Sequence, residues 1–321
     1  MMTTPYGYPS DLYHCLLDEQ PYYLVPPRLF RPAPAPGGPL MVNPLSWFSW
    51  HGPLPPDKAT RATAAEHVLP GEGVVWVDDP GTRALWPYSV GAEYIGFLRT
   101  MAPGQLVTID LPARVRWVLH QADVLVEPGH VERRRRAWHG GVHAAARSFD
   151  RGFTSVNGLI PPFHLGALRR YYRVHARLGT FALGAARSAR LVAHDEAIAR
   201  FVHHQLATAV ADLAHRIVMP SYSYVVAYQP GSVLERHIER DQCEYSISLC
   251  VDATPEPEAQ SPWPIRLDLP EGSLSLWQYL GDALLYRGRS LPHQRDRLDD
   301  GYTSTSLLLH YVDEDFRASL S

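Results

Sequence analysis

The last third of the chain alternates apolar and polar residues at every second position. This alternation is typical of half-buried β-strands, because successive side chains of a strand point to opposite faces of the sheet. The separating Pro-Gly, Glu-Gly, Gly-Asp and Asp-Asp-Gly sequences favour tight turns. Many short strands with regular turns predict a β-sandwich or a barrel. We predict strands at residues 221–229, 244–252, 264–269, 273–280, 282–288 and 303–312.

Helical patterns precede these strands. Residues 163–179 and 199–218 place apolar side chains three and four positions apart, which is the spacing of an amphipathic helix. Residues 131–149 also fit a helix, and they open with four consecutive arginines, Arg133–Arg136. One short basic run is weak evidence for nucleic-acid binding, so we interpret it as a solvated helix face. Such helices would cover one face of the predicted sheet.

Residues 1–60 have a different composition. They contain 13 of the 29 prolines, a density that opposes helices and central strands. A free linker would carry few aromatic residues, whereas this segment has several. We therefore predict an extended segment that wraps the protein surface and packs its aromatic side chains, Tyr22, Tyr23, Phe30, Trp47, Phe48 and Trp50.

The following residues complete the N-terminal part. The alternation in residues 73–79 and 105–128 predicts strands, with a short helix at residues 92–101 between them. A chain of 321 residues is long for one domain. We predict that residues 1–130 form an N-terminal elaboration or a small α+β domain, and that residues 131–321 form the main domain.

Composition excludes several classes of function. The formal net charge of −3 gives no electrostatic case for binding nucleic acid or a membrane surface. No apolar run is long enough to span a bilayer, and the N-terminus lacks the features of a signal peptide. We therefore expect a cytoplasmic protein. Its three cysteines, Cys15, Cys243 and Cys250, lack the spacing of a metal site and are expected to be reduced.

Two histidines and a glutamate suggest a metal site. His237 and Glu239 are two residues apart, and a strand would project both side chains from the same face. His293 follows 54 residues after Glu239, next to another predicted strand. Two imidazoles and one carboxylate can bind one face of Fe(II) and leave the opposite face open. Asp241 lies on the same side of an extended strand and is an alternative carboxylate ligand.

A family resemblance strengthens this interpretation. In chain order, the segments that carry it are GLIPPFHLGALRRYYR, LERHIERDQCEYSISL, PWPIRLDLPEG, GDALLYRG, LPHQR and TSTSLLLHYV. Through them, about half of the chain, residues 150–315, resembles the iron- and 2-oxoglutarate-dependent oxygenases, especially bacterial relatives of prolyl hydroxylases. The resemblance implies an α+β fold whose core is a double-stranded β-helix, or jelly roll, with flanking helices and an added N-terminal segment rich in proline and aromatic residues.

The resemblance also implies site residues. His237, Glu239 and His293 would be the catalytic metal ligands, although most family members have aspartate at the position of Glu239. 2-Oxoglutarate is a dianion whose distal carboxylate needs a cation, and arginine binds a carboxylate best. Family members usually place that cation about ten positions after the second histidine, where this chain has none. We predict Arg295 as the cation, then Arg287 and Arg297, with hydroxyl groups from Tyr228, Thr303, Ser304 and Thr305.

The activity implied is hydroxylation of an unactivated C–H bond in an amino acid, peptide or natural product. Fe(II), 2-oxoglutarate and O₂ would be required, with ascorbate as a candidate reductant. The oligomeric state stays open, with a dimer among the options. Two alternatives remain: a non-catalytic jelly-roll module that binds a metal or ligand, and a metal-dependent oxygenase or isomerase that needs no keto acid. We interpret His310, within an apolar strand, as a core residue.

Overall fold

The chain is described by a computed structural model that covers residues 24–29, 34–35, 37–62, 73–90, 92–179, 181–184 and 189–319. The described residues form two compact units. One lies within Met1–His139 and Pro161–Tyr171, and the other within Gly140–Ile160 and Tyr172–Ser321. The domain boundary near residue 130 stays a prediction. Of the aromatic residues expected to pack on the surface, Tyr22, Tyr23 and Phe30 lie outside the described residues.

The first unit contains short strands and helices. The strands of this unit are β1 (Met41–Val42), β2 (Ser46–Phe48), β3 (Val74–Asp78), β4 (Leu85–Ser89) and β5 (Leu125–Val126). Strands β2, β3 and β4 form an antiparallel three-stranded sheet, and β1 pairs with β5. Its helices are α1 (Pro56–Ala62), α2 (Ala92–Leu98) and α3 (Ala113–Gln121), with short 3-10 helices at Pro27–Leu29 and Ser49–His51.

Helix α3 corrects the sequence prediction for residues 105–128. The middle of that segment was predicted as strand but is helical. The buried residues Val115, Val118 and Leu119 are three and four positions apart, so they line one face of a helix. Pro112 precedes the helix, where its missing N–H costs nothing. A segment this short fits both periodicities, and burial of the helical face decides between them.

The aromatic residues described in the proline-rich segment do pack. The rings of Phe48 and Trp50 stack, with centroids 4.9 Å apart. The Lys58 ammonium lies 4.2 Å from the Trp47 ring and also pairs with Asp78. These contacts lie within the first unit, so this part of the segment belongs to a folded unit.

The arginine run also has a structural explanation. Arg133 pairs with Glu127 at 3.1 Å and Arg135 pairs with Glu132 at 2.7 Å, and all four side chains are about half exposed or more. Exposed pairs of this kind contribute about 0–1 kcal/mol each. These contacts agree with the interpretation of the run as a solvated helix face.

The second unit contains most of the strands. Helices α4 (His130–Phe149) and α5 (Pro162–Leu178) each contribute residues to both units, whereas α6 (Ala197–Ala214) belongs to the second. The strands are β6 (Phe153–Val156), β7 (Ala182–Leu183), β8 (Arg190–His194), β9 (Val218–Tyr228), β10 (Leu234–His237), β11 (Tyr245–Thr254), β12 (Ile265–Leu269), β13 (Gly272–Leu276), β14 (Ala283–Tyr286), β15 (His293–Arg295) and β16 (Thr303–Asp313).

These strands form two antiparallel sheets. The larger has seven strands in the order β6-β14-β11-β16-β9-β8-β7, and the smaller has four in the order β10-β15-β12-β13. The strand predicted at residues 264–269 corresponds to β12, which forms a hairpin with β13 through a turn between Leu269 and Gly272. The unit is therefore a mixed structure of helices and antiparallel sheets, as predicted.

The apolar residues of the strands pack between the sheets and beneath a helix. Ile265 and Leu267 of the smaller sheet cluster with Leu284 and Tyr286 of the larger sheet. On the other face, α6 packs against β9 and β16. The side chain of Glu196 caps α6 by accepting hydrogen bonds from the first backbone N–H groups. Among the described helices, none is sufficiently long and apolar to cross a lipid bilayer.

Candidate metal centre

Strand pairing brings the two predicted histidine ligands together. His237 ends β10, His293 begins β15, and the two residues are partners in the antiparallel register. Their ring centroids are 4.3 Å apart. The Glu239 Oε1 atom lies 3.5 Å from His293 Nε2 and 3.9 Å from His237 Nε2. One donor atom from each residue thus lies within 4.8 Å of the other two.

Glu239 reaches this position from just beyond β10. The strand ends at His237, so the expectation that both ligands lie within one strand is wrong in this detail. The backbone N–H of Glu239 instead donates to the Gly288 carbonyl at 2.9 Å. A Cβ atom at Gly288 would lie 2.5 Å from the Cys243 carbonyl oxygen and 2.9 Å from Glu239 Cγ. Glycine at this position therefore allows the carboxylate segment to approach β14.

Backbone carbonyls orient both imidazoles. The His237 Nδ1 atom lies 2.8 Å from the Glu235 carbonyl oxygen, and the His293 Nδ1 atom lies 3.1 Å from that of Leu291. Because a carbonyl only accepts, each Nδ1–H donates and the neutral ring keeps its lone pair on Nε2. Both Nε2 atoms face Glu239. The donor set and its orientation fit the two-histidine, one-carboxylate site that binds non-haem Fe(II).

Glu239 is held in its charged form. Burial alone would raise its pKa, but His293, 3.5 Å away, and the nearby imidazoles of His310 and His237 together outweigh burial and lower the pKa to about 2. The Tyr286 hydroxyl also donates to Glu239 Oε1 at 3.2 Å. A charged carboxylate is the form that binds a metal cation.

Tyr286→Phe is expected to weaken metal binding by about 10- to 100-fold, which is typical of losing an outer hydrogen bond to a ligand. The substitution removes the hydroxyl that orients Glu239 and keeps the buried ring. Competition between the protein and a coloured chelator for Fe(II) measures the change. Tyr311→Phe is the matched control, because that buried hydroxyl donates to the His203 carbonyl instead. Equal affinities for Tyr286→Phe and the unsubstituted protein would contradict the expected role.

The three ligands line a cavity of about 290 Å³. Two of the predicted cofactor residues, Arg295 and Tyr228, line it as well. The other cavity residues come from both sheets and their connections: Arg190, His194, Tyr222, Tyr224, Leu234, Ile238, Arg240, Ser248, Ile265, Tyr286, Leu308 and His310.

Arg295 is a buried cation in this cavity. Its side chain donates to the Trp263 carbonyl at 2.5 Å and to Gln278 Oε1 at 3.1 Å, and it lies over the Trp263 ring. Burial lowers its pKa, and no carboxylate among the described residues pairs with it. Burying a guanidinium without a counter-ion is costly. An anion bound in the cavity would offset that cost.

The remaining predicted cofactor residues lie elsewhere. Arg287 is exposed, its guanidinium lies 5.3 Å from the Phe149 ring, and it lines a separate surface cavity. Thr303 and Thr305 do not line the metal-site cavity. Leu308 and His310, at even-numbered positions of β16, line the cavity. Because side chains alternate along a strand, the odd-numbered Thr303 and Thr305 point to the opposite face of the sheet.

The structure separates Glu239 from the alternative carboxylate. The Asp241 side chain is 79% exposed and lies 3.7 Å from Arg289, whereas the Glu239 side chain is 13% exposed. Arg297, the third candidate for the cofactor cation, pairs with Asp300 at 2.8 Å on the surface.

His310 lines the cavity, although the sequence analysis interpreted it only as a core residue. It is buried, its Nδ1 lies 2.9 Å from Ser246 Oγ, and burial lowers its pKa to about 4. It also forms a second potential metal group with Glu239 and Cys243. Burial raises the pKa of the Cys243 thiol to about 11, which opposes the thiolate that a metal requires. The position of His310 in an apolar strand gave no indication that it lines the site, because only strand pairing places it beside Glu239.

Comparisons with known proteins give structural matches only. No protein-family model matches the sequence, and no curated protein matches it. A prolyl-4-hydroxylase from Pseudomonas putida is 16% identical with a TM-score of 0.41, covering 53% of this chain and 98% of its own. A Trichoplax adhaerens prolyl hydroxylase, in complex with a peptide fragment of the hypoxia inducible factor oxygen degradation domain, is 16% identical with a TM-score of 0.46, covering 56% and 93%.

A third match is HygX from Streptomyces hygroscopicus, whose structure has nickel and 2-oxoglutarate bound. It is 14% identical with a TM-score of 0.42, and the match covers 54% of this chain and 87% of that one.

Proposed function

We propose that this protein is an Fe(II)- and 2-oxoglutarate-dependent oxygenase. The observation that carries the proposal is one cavity that holds both His237, Glu239 and His293 and the buried Arg295. The first three match the donor set for Fe(II) and leave coordination positions open. Arg295 supplies the cation that a dianionic keto acid needs. We further propose that the seven-stranded and four-stranded sheets form a double-stranded β-helix.

The predicted metal ligands and the two cofactor-binding residues in the cavity each have a defined task in this proposal. When bound, the iron supplies the activation of O₂, with 2-oxoglutarate as the co-substrate. His237 and His293 donate their Nε2 lone pairs, and Glu239 cancels one positive charge. Arg295 holds the distal carboxylate of the keto acid at the buried end of the cavity. The Tyr228 ring packs against Trp263 beside it, with centroids 4.7 Å apart, and helps to exclude water there.

The proposed reaction is hydroxylation of an unactivated C–H bond. In the superfamily, halogenating enzymes replace the carboxylate ligand with a small residue, whereas this chain keeps Glu239. An amino acid, peptide or natural product is the proposed substrate, and ascorbate is a candidate reductant. We propose a cytoplasmic enzyme whose oxygenase domain lies within residues 131–321.

An anaerobic titration tests the proposal. Fe(II) is added to the metal-free protein, then 2-oxoglutarate, and the visible spectrum is recorded. We expect a weak charge-transfer band that needs both additions and does not form when succinate replaces 2-oxoglutarate. Tight iron binding without the band would favour an enzyme that needs no keto acid. Failure to bind iron would favour the non-catalytic binding module.

A further inference from the structure

The wall of the metal-site cavity opposite the proposed metal ligands carries an arginine that the proposed metal and 2-oxoglutarate do not contact. Strands β8 and β9 pair so that Arg190 lies opposite Tyr228 and His194 lies opposite Tyr224. All four of these residues line the cavity. Because side chains alternate along a strand, the two strands present their even-numbered residues there. This wall lies in the larger sheet, whereas His237, His293 and Arg295 come from strands of the smaller one.

Arg190 is held in place, and no carboxylate among the described residues forms an ion pair with it. A Cβ atom at Gly184 would lie 2.8 Å from Arg190 Cγ, so glycine there gives room for the arginine stem. The Gly184 N–H also donates to the Arg190 carbonyl at 2.8 Å. The Arg190 Nε atom is buried and has no hydrogen-bond partner among the described residues. Buried donors in native proteins are normally satisfied, so this one calls for a ligand.

The charges that line the cavity favour an anion at this wall. Among the described lining residues, Arg190, Arg240 and Arg295 are cationic and Glu239 is the one carboxylate. Bound Fe(II), Glu239, Arg295 and dianionic 2-oxoglutarate would sum to zero net charge. Arg190 and Arg240 would then remain, so the cavity would keep a positive charge that attracts an anionic substrate.

Aromatic rings adjoin the arginine. The His194 and Tyr224 ring centroids are 4.1 Å apart, and those of Tyr222 and His310 are 4.6 Å apart. Leu308 lines the cavity as well. This surface suits an apolar or aromatic substrate body, which packs on ring faces while its charged end meets a guanidinium.

We propose that Arg190, assisted by Arg240, is a substrate subsite that binds an oxyanion, either a carboxylate or a phosphate, on a small molecule with an apolar or aromatic body. The planar guanidinium matches both oxyanions through paired N–H donors. This inference rests on the proposed function, because it assigns Arg295 to the keto acid and Arg190 to the substrate. It deepens that function by defining the chemical class of the substrate.

Calorimetry on the anaerobic complex of the protein with Fe(II) and 2-oxoglutarate tests the subsite. The probes are N-acetyl-L-phenylalanine, its uncharged amide, and phenyl phosphate. We expect at least one anion to bind about tenfold or more tightly than the amide. The stronger anion identifies carboxylate or phosphate as the preferred group.

Arg190→Gln is expected to lower the affinity for that anion by about tenfold or more and to leave the 2-oxoglutarate band unchanged. Arg190→Lys should restore part of the anion affinity. Arg236→Gln, outside this cavity, is the control.

Two results would overturn the subsite. One is equal binding of the anions and the amide by the unsubstituted protein. The other is loss of the 2-oxoglutarate band in Arg190→Gln, which would make Arg190 the cofactor cation. Repeating the calorimetry on metal-free protein separates the two proposals. Arg190-dependent anion binding in a protein that forms no band after Fe(II) and 2-oxoglutarate are added would keep the subsite and reject the oxygenase.

Discussion

Glu239→Ala is expected to lower Fe(II) affinity by at least about 100-fold and to abolish 2-oxoglutarate turnover. Loss of an outer partner of a ligand typically costs 10- to 100-fold in affinity, and loss of the ligand itself should cost no less. Glu239 is the only carboxylate among the described residues that line the cavity. Without it, the two imidazoles would hold the cation with no charge to neutralise it.

The matched control is Asp241→Ala, which removes a carboxylate two residues away. Asp241 is exposed and lies near Arg289, so its removal should leave Fe(II) affinity unchanged. Both variants can be measured by chelator competition, with thermal unfolding to check that each is folded. If Asp241→Ala lost the metal and Glu239→Ala kept it, the ligand assignment would be wrong. Glu239→Asp, which keeps a carboxylate at this position, should retain part of the affinity.

Arg295→Gln is expected to weaken 2-oxoglutarate binding by about 30-fold or more. Truncating one partner of a buried, hydrogen-bonded charge pair costs about 2 kcal/mol or more, and 1.4 kcal/mol corresponds to tenfold in affinity. The glutamine is uncharged and cannot neutralise a carboxylate. Fe(II) affinity without the keto acid should change little, because Arg295 is not one of the metal ligands. The anaerobic charge-transfer band gives the 2-oxoglutarate affinity, and chelator competition without the keto acid gives the Fe(II) affinity.

Arg287→Gln is the control for the cofactor cation. It removes an arginine that is also close to His293 in sequence but lines a different cavity. We expect its 2-oxoglutarate affinity to equal that of the unsubstituted protein. A normal band in Arg295→Gln, together with a loss in Arg287→Gln, would reverse the assignment.

The local pattern of apolar and polar residues was sufficient to predict two of the central strands. Residues 244–252 and 303–312 were predicted as strands and correspond to β11 and β16, because alternation is a local property of the sequence. The local pattern was not sufficient for residues 113–121. These nine residues fit the periodicity of a strand and of a helix, and burial of one helical face decides for the helix. His310 shows a different limit: its strand was predicted, but the position of that strand beside Glu239 depends on pairing between distant segments.

The sequence by itself determined the types of donor available, their spacing at His237, Glu239 and His293, and the strands that carry most of them. Only the tertiary structure decided which carboxylate joins the histidines and which arginines enter the cavity. The physical reason is that a side chain's direction along a strand follows a local period, whereas burial and the distance between strands depend on long-range packing. Arg295 and Arg287 are eight residues apart in one segment, yet packing buries the first in the cavity and exposes the second.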